Sequence, residues 1–252
     1  MYCRLTISSS DKIVLPFQYN HIIQALLYNF INDKEYSNFL HNNGYTHNKR
    51  SFKLFSFSNI ITKPLKIDRE TKKFVFPEEI SIYISCVDSE FLKYIFQSFA
   101  VSERELRIYN NLAHISNVFF RQDIQNYSEE MEVRTLSPIT TYSTLFSADG
   151  KKKTYYYTPF EEQFSENIRK NLLKKYCAFY DKEPKDTSFS IKPLGKIAER
   201  IIIYKGFVIK AYSGNFKISG SQELKKMAFS SGIGSKNSQG FGFVLPKDEE
   251  VL

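Results

Sequence analysis

Apolar residues in the first half of the chain alternate between the spacing of strands and the spacing of helices. RLTISS near the start alternates apolar and polar positions, which predicts a strand. FKLFSFS and KKFVFPEEISIYISC predict further strands, SEFLKYIFQSFAV a helix, and ELRIYNNLAHISNVFF a strand. Helical spacing after the first strand is set by Ile22, Ile23, Leu26, Leu27, Phe30 and Ile31. The order strand, helix, strand, strand, helix, strand is that of the ferredoxin-like unit.

The second half repeats this rhythm without repeating the sequence. Its predicted elements are the strand EEMEVRTLSPIT, a hairpin around Asp149-Gly150, the helix FEEQFSENIRKNLLKKYCAFY, the strands SFSIKPLG, ERIIIYKG and FVIKAYSG, the helix SQELKKMAFSS and the strand FGFVLP. We therefore predict an α+β fold of two tandem ferredoxin-like domains, residues 1–124 and 125–252. The boundary falls in the polar stretch QDIQNYSE. Because no long linker separates the halves, we expect them to pack together.

The stretch GIGSKNSQGFGFV joins the last predicted helix to the last predicted strand and contains Gly232, Gly234, Gly240 and Gly242. Its spacing is neither that of a P-loop nor that of a dinucleotide fingerprint, and those loops follow a strand and open a helix. Glycines permit close approach of another molecule, so we expect the backbone to bind phosphates, with Lys236 and Asn237 reaching outward. The alternative, a tight connection, explains Gly232 as a helix cap better than it explains four glycines.

Composition favours a polyanionic partner. The chain has 35 Lys and Arg against 27 Asp and Glu, a net charge of +8, and it carries 23 Phe and 17 Tyr. Aromatic rings beside basic residues are typical of single-stranded RNA binding. A protein that is merely basic fits the charge equally well, and many of the rings must belong to the core.

Other classes of chemistry find little support in the sequence. Cys3, Cys86 and Cys177 lie far apart and form no C-x-x-C pair, so neither a disulfide framework nor a zinc site is indicated. No Asp, Glu and His cluster has ligand spacing, and we expect neither a metal nor a cofactor. The stretch MYCRLTISSSDK lacks an apolar signal region and no apolar run is long enough to span a bilayer, so we expect a cytoplasmic protein without membrane contact.

The tandem units and the spacing of the glycine-rich loop resemble the RAMP superfamily of CRISPR-associated proteins. Four stretches in order, LPFQYNHIIQALLYNFI, FLHNNGY, FKLFSFS and TLSPIT, are similar to the sixth Cas family, endoribonucleases that cut precursor CRISPR RNA within its repeats. The similarity runs from about Leu15 to Val244. It implies CRISPR repeat RNA as the partner, with a CRISPR effector complex as a further one, and either a monomer or a homodimer.

The resemblance also implies three catalytic residues: Tyr28, His41 and Lys53. His41 would protonate the leaving 5′-oxygen, with a role as base also open, Tyr28 would position or activate the 2′-OH, and Lys53 would stabilise the developing negative charge. RNA carries its own nucleophile, so such an enzyme needs no metal and leaves a 2′,3′-cyclic phosphate and a 5′-hydroxyl. We expect Lys53 at the start of a strand and His41 after a short helix.

His47 competes with His41 for the catalytic role. It is flanked by Lys49 and Arg50 in a basic loop that can reach the scissile phosphate. We favour His41 as the acid and assign Lys49 and Arg50, with the glycine-rich loop, to RNA binding. Further basic groups that can line the RNA path are Lys151 to Lys153, Arg169-Lys170, Lys174-Lys175 and Lys225-Lys226.

The sequence leaves two functions other than cleavage open. A RAMP subunit can hold CRISPR RNA in an effector complex without cutting it, and the set of Tyr, His and Lys in the first unit argues against that alternative. A general ferredoxin-like RNA-binding protein would carry aromatic RNP motifs on its central strands, and the sequence has no such motif.

Overall fold

The structure, a computed structural model, describes residues 2–100, 105–121, 126–146 and 150–250. The helices within these residues are α1 (Asn20–Asn29), α2 (Lys34–Asn38), α3 (Ser89–Ala100), α4 (Glu162–Tyr180) and α5 (Gln222–Ser231), with a π-helical turn at Phe39–Asn43 and a 3-10 turn at Asn237–Gln239. The strands are β1 (Tyr2–Ser8), β2 (Val14–Pro16), β3 (Tyr45–His47), β4 (Arg50–Phe52), β5 (Phe55–Phe57), β6 (Lys66–Asp68), β7 (Lys73–Val75), β8 (Glu79–Cys86), β9 (Leu106–Ile108), β10 (Asn111–Arg121), β11 (Glu130–Thr135), β12 (Tyr142–Phe146), β13 (Lys152–Tyr156), β14 (Phe189–Tyr204), β15 (Phe207–Gly220) and β16 (Val244–Pro246).

The N-terminal half is a ferredoxin-like unit with additions. Its antiparallel sheet has the order β5-β8-β1-β10-β9, so the four strands of the unit lie in the order second, third, first, fourth. Alternate residues of these strands and the apolar faces of α1 and α3 bury a common core, with Leu5, Ile82, Leu27 and Ile95 among its members. Two small sheets, β2-β7-β6 and β3-β4, are added between the elements of the unit.

The C-terminal half has the same topology. Its antiparallel sheet has the order β14-β15-β11-β16, again second, third, first, fourth, and shares a core with α4 and α5. The chain therefore has an α+β fold of two tandem ferredoxin-like domains. The two halves meet where the rings of Tyr83 and Phe243 stack at 6.1 Å and the backbone N–H of Asn59 donates to the carbonyl of Leu136 at 2.9 Å.

Strand boundaries differ from the prediction at several places, and two of them involve the long strands β10 and β14. ELRIYNNLAHISNVFF forms two paired strands, β9 and β10, because Tyr109 turns the chain with a φ of 58°. SFSIKPLG and ERIIIYKG form one strand, β14, because the chain passes Gly195 in a bulge between Leu194 and Ala198 and then resumes its pairing with β15. A pattern of apolar residues does not distinguish a bulge from a strand end.

Two predicted features fall partly outside the described residues. The predicted domain boundary lies in residues 122–125. The predicted turn includes Asp149, which lies in residues 147–149. The hairpin itself is present as β12 paired with β13. Among the described residues, no helix combines the length and the apolar character needed to cross a membrane.

The stacked rings of Phe55 and Phe91 allow a prediction about stability. Phe91 on α3 is 1% exposed and its ring centroid lies 4.6 Å from that of Phe55, whereas Phe96 on the same helix is 52% exposed. Phe91→Ala should lower the free energy of unfolding by about 3–5 kcal/mol, because it leaves a cavity in the core. Phe96→Ala should lower it by about 1 kcal/mol or less, and equal losses in urea titrations of the two variants would contradict the assigned core.

Candidate functional site

His41 lies in a π-helical turn that ends abruptly. The turn spans Phe39–Asn43 and continues directly from α2. It ends at Gly44, which has a φ of +63°, and a Cβ at that position would lie 2.4 Å from the carbonyl oxygen of Phe52. Glycine is therefore required there, and the chain reverses immediately into β3. This termination leaves the His41 side chain exposed at the end of the helix.

Tyr28 and Lys53 approach His41 from two other segments. The ring centroid of Tyr28, near the end of α1, lies 6.0 Å from that of His41, with the rings edge to face. The Lys53 ammonium donates a hydrogen bond of 2.9 Å to the backbone carbonyl of His41. Lys53 does not begin a strand as predicted, because it lies in the unpaired link between β4 and β5. The structure thus brings the three residues that the resemblance indicates into one place.

The environment sets the protonation of two of these groups. Burial, and secondarily the neighbouring Tyr204, raises the pKa of Tyr28 to about 12, so its phenol is neutral at physiological pH. Burial lowers the pKa of Lys53. His41 Nδ1 lies 3.0 Å from the amide oxygen of Asn42. With that oxygen as the acceptor, Nδ1 carries a proton and Nε2 is left for proton transfer.

His47 is held differently from the prediction. It belongs to β3 and pairs with Arg50 of β4, so it lies in a strand of a hairpin and not in the predicted basic loop. The hairpin turns at Asn48, which has a φ of 54°, and exposes Lys49. The ring of Tyr45 on the same strand lies 5.3 Å from that of Phe179 on α4, which anchors the hairpin on the C-terminal half.

A cleft of about 410 Å³ opens between the two halves beside Lys53. Its lining residues are Arg50 to Phe55, Tyr142, Asn171, Lys175, Ser231 and Gly234 to Gln239. The basic side chains of Arg50, Lys53 and Lys236 border it, and no carboxylate is among these lining residues. Lys236 lies with its ammonium 5.3 Å from the ring centroid of Tyr142, and burial lowers its pKa. Such a cleft suits a polyanion.

The glycines of the loop are packed against the protein itself. All four have φ between +74° and +84°. A Cβ on Gly242 would lie 1.9 Å from the carbonyl oxygen of Ile233, and one on Gly234 would lie 2.5 Å from that of Thr140. The close approach that requires glycine is therefore made by the chain's own atoms, which are backbone oxygens at Gly234 and Gly242 and side chains at Gly232 and Gly240. The tight connection that the sequence argument set aside explains all four glycines.

Asn237 and Lys175 also differ from the prediction. Asn237 does not reach outward, since its amide nitrogen donates to the carbonyls of Ile233 and Phe241 and its oxygen accepts from Lys175. Lys175 is fully buried under the loop, and burial lowers its pKa to about 7. Lys225 is buried as well and donates to the carbonyls at positions 128 and 129. Neither lysine belongs to a solvated basic face.

Two polar residues of α1 were missed by the sequence argument. The amide nitrogen of Asn20 donates to the carbonyls of Gln239 and Gly240, and that of Gln24 donates to the carbonyl of Ser238 at 2.7 Å. Their spacing was the available signal, because Asn20, Gln24 and Tyr28 are four residues apart and share one face of the helix. Within the described part of the chain, no three His, Cys, Asp or Glu side chains gather as metal ligands would.

Family models cover most of the chain. The model described as CRISPR-associated protein Cas6, N-terminal, matches residues 14–118, and the one described as CRISPR associated protein Cas6, C-terminal, matches residues 121–245. The chain belongs to the Cas6 family. The candidate catalytic residues fall within the first match and the glycine-rich loop within the second.

Individual Cas6 proteins resemble the chain over nearly its full length. It is 27% identical to the CRISPR-associated endoribonuclease Cas6 1 of Methanocaldococcus jannaschii, over 99% of this chain and 94% of that protein. A solved structure from the characterisation of a Cas6-related gene from Pyrococcus furiosus has a TM-score of 0.83, 25% identity and 99% coverage of both chains. A solved RAMP protein described as binding different RNA substrates has the same fold, with a TM-score of 0.80, 23% identity and coverage of 98% and 100%.

The packing of the loop predicts which glycines tolerate a side chain. Gly206, in the turn between β14 and β15, has a φ of +84°, but a Cβ added there would meet no other atom within 4 Å, whereas one on Gly242 would meet a backbone oxygen at 1.9 Å. Gly206→Ala should lower the free energy of unfolding by only the strain of a positive φ, about 1–2 kcal/mol. Gly242→Ala should lower the melting temperature several degrees further. Equal melting temperatures for the two variants would show that the loop is not packed as described.

Proposed function

We propose that this protein is an endoribonuclease that cleaves precursor CRISPR RNA within its repeats. The observation that carries the proposal is the meeting of Tyr28, His41 and Lys53 at the edge of a basic interdomain cleft. A phenol, an imidazole and an ammonium suffice for cleavage by an internal nucleophile. The name of the M. jannaschii relative, an endoribonuclease, agrees with this assignment.

The reaction is an attack of the 2′-OH upstream of the cut on the adjacent phosphorus. The bond between O2′ and phosphorus forms as the bond between phosphorus and O5′ breaks, which gives a 2′,3′-cyclic phosphate and a 5′-hydroxyl. The imidazolium of His41 delivers a proton to O5′, and the proton of the 2′-OH leaves to solvent. Tyr28 positions the 2′-OH by hydrogen bonding, because a phenol with a pKa near 12 is not a base at neutral pH.

Lys53 serves the reaction in two ways. Its ammonium stabilises the charge that develops on the phosphorane oxygens, where a point charge needs no fixed orientation. The same group holds the His41 carbonyl at 2.9 Å, so it also fixes the turn that carries the general acid. Because the nucleophile comes from the substrate, the reaction proceeds without a metal ion or a cofactor.

The RNA runs along the cleft and over the glycine-rich loop. Arg50 and Lys236 contact phosphates from opposite walls, with Lys49 on the adjoining hairpin. Gly234 borders the cleft, and Gly232, Gly240 and Gly242, with Asn237, act by holding the shape of the loop. The repeat RNA is thereby bound by both halves and cut by residues of the first. An effector complex would receive the product.

The nucleophile of the reaction can be tested on the RNA. Replacing the 2′-OH immediately upstream of the cut by hydrogen should abolish cleavage, and wild-type cleavage should be unchanged in excess EDTA. Electrophoresis and mass spectrometry of the products should show a 2′,3′-cyclic phosphate. Cleavage of the deoxy-substituted RNA would contradict the mechanism, because no other nucleophile is assigned.

The two neighbouring histidines can be separated by single-turnover kinetics with repeat RNA under saturating enzyme. His41→Ala should lower the rate by about two to four orders of magnitude and leave the dissociation constant nearly unchanged, the usual contribution of one acid–base group. His47→Ala should leave the rate within about tenfold and affect RNA binding instead.

The opposite pattern would move the catalytic role to His47. Full activity of both variants would remove the histidines from the mechanism. A wild-type protein that binds the repeat RNA and leaves it intact would instead favour the non-cutting RAMP subunit as the function.

A further inference from the structure

Helix α1 carries three polar side chains on one face, of which two contact the glycine-rich loop and the third contacts His41. Asn20 and Gln24 bind backbone carbonyls of the glycine-rich loop, while Tyr28, one turn further, lies against His41. A side chain repeats on the same helical face every three to four residues, so the three form one line. The helix that holds the candidate catalytic phenol is therefore fastened to the opposite half of the molecule.

Both the nitrogen and the oxygen of the Gln24 carboxamide form hydrogen bonds. Its nitrogen donates to the carbonyl of Ser238 at 2.7 Å, and its oxygen accepts from the hydroxyl of Tyr204 at the end of β14. Turning the amide over would place its oxygen against the Ser238 carbonyl, which can only accept, so the Ser238 carbonyl fixes the orientation of the amide. Tyr204 is itself buried in a small cluster with Ile209 and Phe241. Gln24 is thus held by two elements of the C-terminal half.

The segment that Gln24 binds is also a wall of the cleft. Residues 234–239 line the cleft, and the carbonyl of Ser238 within that segment faces α1. The segment lies between the space that RNA would occupy and the helix that carries Tyr28. Its inner side is fixed by the Lys175 ammonium, which donates to Gly232, Gly234 and Asn237. A change in the position of the segment is therefore passed to α1 through Gln24.

We propose that Gln24 is a positioning residue for Tyr28. Gln24 holds α1 against the cleft wall and against Tyr204, so that the Tyr28 phenol stays aligned with His41. This inference rests on the proposed ribonuclease function. Its physical basis is the steep dependence of rate on alignment, since a misplacement of about 1 Å can lower a rate about 100-fold. Gln24 does not touch the reacting atoms and acts through the helix.

The test is a double-mutant cycle in single-turnover cleavage of repeat RNA under saturating enzyme. Gln24→Met keeps the length of the side chain and removes both hydrogen bonds. It should lower the rate roughly 10- to 100-fold and change the dissociation constant less than about threefold. In a Tyr28→Phe background the same change should lower the rate less than about threefold further, because there is no phenol left to position. Tyr204→Phe, which removes one hydroxyl, should lower the rate in the same direction.

Gln222 provides a matched control. Its carboxamide is also bonded at both ends, to the N–H and the carbonyl of Tyr127, but it lies on α5 and contacts neither α1 nor the loop through these bonds. Gln222→Met should leave the cleavage rate at the wild-type value. Thermal unfolding of each variant shows that the folded protein is being compared, and Tyr204→Phe carries the test if Gln24→Met does not fold.

Three outcomes would overturn the inference. One is a rate for Gln24→Met and Tyr204→Phe within about threefold of the wild type. Another is an equal loss from Gln24→Met with and without the Tyr28 hydroxyl, which would mark a general structural effect. The third is an unchanged rate for Tyr28→Phe alone, which would leave nothing to position. A wild-type protein that does not cut repeat RNA at all would instead refute the proposed function, so the two failures are distinguishable.

Discussion

The buried ammonium of Lys175 holds the glycine-rich loop through three oxygen acceptors, the carbonyls of Gly232 and Gly234 and the side chain of Asn237, at 2.7, 3.3 and 2.6 Å. Taking a lysine out of water costs several kcal/mol, and that penalty lowers its pKa to about 7. The three acceptors offset the penalty only while the loop keeps this shape. A long helix, α4, thus fixes the conformation of a loop that is distant from it in sequence.

The fixed shape of this loop also constrains the candidate active site. The outer side of the loop forms a wall of the cleft, and its carbonyls at positions 238 to 240 bind Asn20 and Gln24 of α1. The same helix presents Tyr28 to His41. The N-terminal half supplies the three candidate catalytic side chains, and the C-terminal half supplies the surface that keeps one of them in place. Cleavage is therefore assigned to the first half, whereas RNA binding is shared by both halves along the cleft between them.

Features set by residues close together in the chain could be predicted from the sequence, and features set by distant residues could not. The periodicity of apolar residues predicted both ferredoxin-like units, because strands and helices bury one face each and the pattern is local. It could not locate the turn at Tyr109 or the bulge at Gly195, since both are set by pairing with other strands. The family resemblance indicated Tyr28, His41 and Lys53, and the structure brings them together.

The loop was the weakest part of the sequence argument. Glycines that admit RNA and glycines that admit the chain's own backbone look identical in sequence, and the second explanation is the one that the contacts of Gly234 and Gly242 support. Lys175 resembled a surface charge, because nothing local indicates that three oxygens from residues about 60 positions away surround it. Long-range hydrogen bonds of buried polar groups are not encoded by any short pattern.

The proposed function places RNA cleavage where Tyr28, His41 and Lys53 meet. The most direct measurement is a crystal structure of the protein with repeat RNA that carries a 2′-deoxy nucleotide upstream of the cut. We expect the scissile phosphate within hydrogen-bonding reach of the Lys53 ammonium and the His41 imidazole, with neighbouring phosphates against residues 234–239. A scissile phosphate beside His47, or one held away from all three residues, would contradict it.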